Sequence, residues 1–200
     1  MLLDEFRDHF AGPAAKRWYL SDGGHFDNTG LYELVRRRLP FIIAVDAGRD
    51  QSYQLGDLAI LTRQVRLDFG ANLEWLEPDP AAKNNPWASL DAAAGTGALI
   101  PNWIKAQVEP SALGALEKIT RDSTHCAAMA RITYANAPDK ITWLVMVKPN
   151  LAPLIEVDVR NYAMLHPIFP NESTADQFFD DAQWESYRSL GEHAGRALFS

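Results

Sequence analysis

Apolar residues recur at helical spacing in four stretches of the chain. Leu2, Leu3, Phe6 and Phe10 predict a short amphipathic helix over residues 2–10, ended by Gly12 and Pro13. Leu31, Leu34, Val35 and Leu39 predict a second helix, which Pro40 stops and which Asn28 or Thr29 would cap. A third runs over residues 55–69, with Leu58, Ile60, Leu61, Val65 and Phe69 as its buried face and Gly70 as its C-cap. Near the end, Ser173, Thr174, Asp176 and Gln177 form two overlapping capping boxes. They predict a long C-terminal helix through Phe178, Phe179, Tyr187, Leu190 and Leu198.

Other stretches follow strand patterns. Residues 17–21 are a short aromatic run, and residues 41–45 a continuous apolar run of the kind buried on both faces of a sheet. Residues 72–76 add a short strand. Residues 126–134 and 141–148 are apolar, β-branched and aromatic, and Asn136, Pro138 and Asp139 lie between them. That predicts an antiparallel hairpin over 126–148. Residues 77–101, with four prolines and Gly95 and Gly97, read as an irregular excursion. Residues 111–121 read as a short helix, and residues 149–170 as extended and proline-marked.

The order strand, turn, helix, strand over residues 17–45 is a βαβ unit, which joins parallel strands by a right-handed crossover. The fold class is therefore α/β. The 200 residues suffice for one domain, and no linker, repeat or low-complexity segment divides them.

Composition narrows the function classes. Hydrophobic residues make up 47% and charged residues 22%, which excludes global disorder. A net charge of -7 gives no support to nucleic-acid binding. The one basic run, Arg36-Arg37-Arg38, falls at a predicted helix end, where the helix dipole favours cations. The single cysteine, Cys126, allows no internal disulfide and reads as a small buried residue. No apolar run approaches the ~20 residues that span a bilayer, so no transmembrane segment is expected. The expected location is cytoplasmic or peripheral to a membrane.

The sequence contains no GxSxG, HExxH, paired CxxC, P-loop or GxGxxG. No metal or cofactor is expected. What remains is Asp22-Gly23-Gly24, between a predicted strand and a predicted helix. By itself Asp-Gly-Gly is a turn. Here the turn stands at the C-terminal end of a parallel strand, where open α/β sheets place their ligands. His25 reads as a polar turn residue. Asp27 and Asn28 lack calcium-loop spacing, and helix capping by Asn28 is the reading adopted. His166, Phe169, Phe178, Phe179 and Trp184 read as packing for the last helix.

The stretch from Trp18 to Glu33, WYLSDGGHFDNTGLYE, resembles patatin-like phospholipases, particularly the large bacterial ones. The segment entering Val45-Asp46-Ala47-Gly48 and residues 169–191 also look like this family. The resemblance implies a partial three-layer patatin-like fold, and a serine–aspartate dyad in which the aspartate lies in an Asp-Gly-Gly or Asp-Gly-Ala motif. Asp22, Gly23 and Gly24 match that motif. It implies hydrolysis of a lipid or other ester, with Asp22 activating a serine. In relatives that serine and a glycine-rich oxyanion segment lie upstream of the aspartate. The chain is accordingly expected to be a C-terminal part, inactive alone for want of a nucleophile. The alternative is a non-catalytic module or subunit that completes a separate nucleophile-bearing domain.

Overall fold

The computed structural model describes residues 22–82, 84–95, 98–151, 155–175 and 177–199. The helix expected over 2–10 and the strand expected over 17–21 lie outside the described residues. The rest of the proposed βαβ unit, a helix and a strand, is present as α1 (Leu31–Arg36) and β1 (Phe41–Val45).

Three more strands follow: β2 (Ala71–Trp75), β3 (Ala127–Tyr134) and β4 (Ile141–Val147). They form one mixed sheet in the order β1-β4-β3-β2. The expected hairpin is the antiparallel pair β3–β4, and β2 adds antiparallel to β3. β1 runs parallel to β4, with Phe41 opposite Trp143 and Val45 opposite Val147. Their two C-terminal ends therefore emerge side by side.

Alternation along the strands divides the core in two. Leu144 and Met146 face one side with Ile42, Ala44, Ala130 and Ile132. There they meet Leu31 and Val35 of α1 and Leu58, Leu61 and Val65 of α2 (Gly56–Phe69). Trp143, Val145 and Val147 face the other side, against Leu90 of α3 (Pro86–Ala93), Ile104 of α4 (Asn102–Lys105) and Leu198 of α6 (Asp181–Leu198). The central strands β3 and β4 are thus covered on both faces, in keeping with an α/β fold that ends in a long helix; β1, expected to be buried on both faces, leaves Ile43 and Val45 exposed on one, because it is the outermost strand on its side of the described sheet. α2 ends as expected at Gly70, whose φ of +60° is the left-handed cap conformation. Ile60, expected in its buried face, is exposed, and Phe69 is half-buried against the core.

Four stretches depart from the sequence reading. Residues 77–101 include α3, which Asn85 caps by accepting from Ala88 N at 3.1 Å. Pro86 there occupies the first helical turn, where its missing N–H costs nothing, so it starts the helix instead of breaking it. Residues 111–121 hold two 3-10 turns, Pro110–Ala112 and Leu116–Lys118, in place of a helix. Residues 149–170 include α5 (Val157–Leu165), so they are not simply extended. The last helix starts at Asp181 with Asp180 as its cap, accepting from Gln183 N at 2.7 Å. Phe178 therefore precedes the helix and is 93% exposed, and Trp184 is largely exposed too.

α5 and α6 form a third packed cluster around Phe169, Tyr162 and Leu190. Glu172 is its polar centre. Its carboxylate accepts from the Tyr162 hydroxyl at 3.2 Å and from Gln183 Nε2 at 3.0 Å. His166 stacks on Tyr162, with ring centroids 4.0 Å apart. The Tyr187 hydroxyl accepts from Glu172 N at 3.2 Å.

Burial first, with Glu172 as a lesser cause, pushes Tyr162 well above the ordinary tyrosine range; burial also pushes Tyr187 up, to about 12. A raised folded value means that the neutral phenol is the form the fold favours. That stabilisation is whole below pH 10 and is lost as pH rises toward about 12. Urea unfolding across this range should show stability falling, with a shallower fall in Tyr187→Phe.

Candidate active site

Asp22 opens the 3-10 turn Gly23–His25 and caps it, its Oδ1 accepting from Gly24 N at 3.0 Å. The residue is exposed. The two glycines that follow differ in their reasons. A Cβ on Gly24 would lie 2.9 Å from Asn28 Oδ1 and 3.3 Å from Asp22 Oδ1, so only glycine fits without displacing both side chains. A Cβ on Gly23 would meet nothing within 4 Å. His25 points its ring Nδ1 at the Asp22 backbone carbonyl, at 3.1 Å, as a turn residue does.

Asn28 does not cap α1. Thr29, the other expected cap, does: its hydroxyl accepts from Leu31 N at 3.2 Å, and Asp27 backs it, its carboxylate accepting from Thr29 N at 3.0 Å, from the Thr29 hydroxyl at 2.6 Å and from Tyr32 N at 2.9 Å. Gly30, at φ +69°, turns the chain into the helix. With the cap supplied, the Asn28 amide is free to donate to Asp57 Oδ2 at 2.7 Å, at the start of α2. Asn28 thus touches both sides of the site. Its Oδ1 faces Gly24, and its Nδ2 binds the helix that follows β1.

The next contacts lie at the C-terminal edge of the sheet. A Cβ on Gly48 would sit 3.1 Å from Asp46 Oδ1, 3.5 Å from Asp57 Oδ2 and 3.6 Å from Asn28 Nδ2. The Asp22 turn therefore stands over the loop that leaves β1. That loop is held from below by Lys148, which is 2% exposed and follows β4 directly. Its Nζ lies 2.9 Å from Asp46 Oδ2, 3.3 Å from Gly48 O and 4.0 Å from Asp50 Oδ2. Asp50 also accepts from Gln54 N and Leu55 N, at 2.9 and 2.7 Å, which folds the loop back into α2. A small cavity of about 140 Å³ opens here, lined by Asp46, Gly48, Asp50, Asp57 and neighbouring residues.

Sequence reasoning found the turn at Asp22 and missed Lys148, Asp46 and Asp57. A signal for the first two existed: a charged residue directly follows each apolar run, in Val45-Asp46 and Val147-Lys148. Reading them as partners needs the parallel pairing of two strands about a hundred residues apart.

The chemistry at hand is one exposed carboxylate on a short, glycine-tightened turn at the mouth of a parallel pair. Among the described residues its carboxylate is bonded by Gly24 N. It can accept a proton or a hydrogen bond from a group brought against it. Asp46, Asp50 and Asp57 are committed to Lys148, backbone amides and Asn28. No three His, Cys, Asp or Glu side chains converge as a metal site among the described residues. Cys126 is buried, and burial pushes its thiol up. His166 lies 3.6 Å from Glu172, in the α5–α6 cluster.

No family model, curated protein or solved structure matches the chain.

The aspartates should separate by stability. Asp46→Ala leaves Lys148 buried without its main partner and should cost about 3–5 kcal/mol. Asp22→Ala removes one exposed cap bond and should cost about 1 kcal/mol. Chemical denaturation of both variants checks the contrast. Gly24→Ala should push aside the Asn28 and Asp22 side chains, read as faster exchange of the backbone amide at position 24, which Asp22 accepts.

Proposed function

We propose that this chain is the C-terminal part of a patatin-like serine acyl hydrolase and supplies Asp22 as the catalytic aspartate. The observation that carries the reading is the exposed Asp22 carboxylate on the Gly23–His25 turn, at the C-terminal edge of a parallel strand pair. Ligands of open α/β sheets bind at that edge. The motif likeness around residues 18–33 supplies the reaction class.

In this reading a serine outside these 200 residues gives its hydroxyl proton to the Asp22 carboxylate as its Oγ attacks the acyl carbonyl of a lipid or other ester. The alcohol leaves with that proton, returned from Asp22, and water, deprotonated by Asp22 in turn, then hydrolyses the acyl-enzyme. Asn28, through Gly24 and Asp57, holds the turn that carries Asp22. Asp46, Lys148 and Asp57 serve position, not proton transfer.

A second reading, a non-catalytic module that completes a separate nucleophile-bearing domain, has its own support. Val45 is 61% exposed and Ile43 is 43% exposed on β1, the outermost strand on its side of the described sheet. Apolar side chains on an edge strand invite a covering partner. This reading expects the chain alone to self-associate and Val45→Lys to suppress it. Light scattering showing a monodisperse monomer would count against it.

The hydrolase reading is tested by turnover of p-nitrophenyl esters in the protein carrying both the serine portion and this chain. Asp22→Asn keeps the cap bond and should lower turnover by about 10²–10⁴-fold. Near-normal turnover in that variant would sink the assignment.

A further inference from the structure

Asp22-Gly23 is the one aspartate–glycine pair in the sequence, and no asparagine is followed by glycine. An aspartate before glycine has a chemistry besides proton transfer. The backbone nitrogen of the next residue can attack the side-chain carboxyl and close a succinimide ring. Glycine leaves that nitrogen unshielded, because it has no Cβ.

The turn leaves the pair open to this reaction. Asp22, Gly23 and Gly24 are all exposed, and a Cβ on Gly23 would meet nothing within 4 Å. Gly24 N is bonded to Asp22 Oδ1 at 3.0 Å and His25 N to Asp22 O at 3.2 Å. Gly23 N, between them, donates to no acceptor among the described residues, so its proton is free to leave.

The bond from Gly24 N is what keeps the Asp22 carboxyl off Gly23 N. It is an exposed hydrogen bond, for which water substitutes at little cost. At the Asp22 ψ of 122° the carboxyl serves Gly24, and rotation about that one bond carries it to Gly23 N. The Asp22–Gly23 peptide is itself held at its carbonyl, by His25 N and by His25 Nδ1 at 3.1 Å. Ring closure therefore moves Asp22 and leaves the rest of the turn bonded. The acids behind the turn are placed differently. Asp46, Asp50 and Asp57 are bound to Lys148, backbone amides and Asn28, and each is followed by a residue with a side chain.

We propose that Asp22-Gly23 is a site of spontaneous modification, at which Asp22 isomerises to isoaspartate with water as the co-reactant. Gly23 N forms a bond to Asp22 Cγ, and the amide proton leaves with the carboxyl hydroxyl as water. Water then opens the ring. Breaking the bond from nitrogen to Cγ restores aspartate. Breaking the bond from nitrogen to the main-chain carbonyl carbon sends the chain through Cγ and frees the α-carboxylate, with no net gain or loss of atoms. The main chain is then longer by a methylene, and the carboxylate no longer caps Gly24. In the hydrolase reading, on which this consequence alone rests, the proton acceptor is displaced and turnover falls as the protein ages.

The test is to hold the 200-residue chain at neutral pH and body temperature for several weeks, then read the tryptic peptide Trp18–Arg36 by electron-transfer fragmentation against an unaged sample. Isoaspartate should accumulate at position 22, ahead of the exposed Asp122, which precedes a serine. Gly23→Val should slow the conversion severalfold by shielding the nitrogen. That variant fits the turn, because Gly23 is not left-handed and its Cβ direction is empty; circular dichroism checks its fold. In Asp22→Asn the ring should close faster, since a carboxamide needs no proton before attack, and ammonia leaves in place of water. Absence of isoaspartate at position 22, slower conversion there than at Asp122, an unchanged rate in Gly23→Val, or no ammonia from Asp22→Asn overturns the proposal. Isoaspartate is read without ester or serine, so this result and the hydrolase assignment stand or fall separately.

Discussion

The Lys148–Asp46 ion pair fixes the edge on which the rest of the site is built. A lysine 2% exposed is tolerable only with its charge matched, since an unpaired buried ion costs several kcal/mol. Here Asp46, the Gly48 carbonyl and Asp50 surround its Nζ. The parallel register makes this possible, because Val45 and Val147 are partners and the next residue of each strand leaves at the same edge. An antiparallel neighbour would have carried Lys148 to the opposite edge.

From that anchor the contacts run outward in order. Asp50 folds the loop into α2 and holds Asn171 through its backbone amide. Asp57, at the start of α2, binds Asn28, and Asn28 abuts Gly24 beside Asp22. Gly24 and Gly48 sit against these contacts: a Cβ on Gly24 would press on Asn28 Oδ1 at 2.9 Å, and one on Gly48 on Asp46 Oδ1 at 3.1 Å. The outcome is a division of labour among four acids. Asp46, Asp50 and Asp57 face inward and are bonded, and Asp22 faces outward on the turn they support.

The strands and the second long helix were legible in the sequence because short-range patterns determine them. Apolar runs 126–134 and 141–148 are largely buried on both faces, whereas run 41–45 leaves Ile43 and Val45 exposed on one, and Gly70 ends α2 as a left-handed cap must. The failures share a cause. Pro86 and Asn85 begin a helix with residues that also mark loops, so α3 was hidden in a proline-rich stretch. α5 was hidden because its outward face is apolar where a surface helix should be polar. Ser173 and Thr174 offer capping chemistry that Asp180, closer to the packed face at Tyr187 and Leu190, provides instead. At the site, Asp22 and Gly24 were legible from a three-residue motif. Asp57 and Lys148 were not, because their partners lie 29 and 102 residues away. At α1 the first amides go to Thr29, as the sequence suggests, and to Asp27, and Asn28 turns its amide to Asp57 instead.

The proposed hydrolase needs a serine to come to Asp22 from outside these 200 residues. The most direct measurement is the DNA sequence upstream of the Met1 codon. An in-frame GxSxG preceded by a glycine-rich segment, coding for the nucleophile and its oxyanion donors, is the expected result. A stop codon with no such motif nearby would contradict it, and the chain would then have to be understood as a module in its own right.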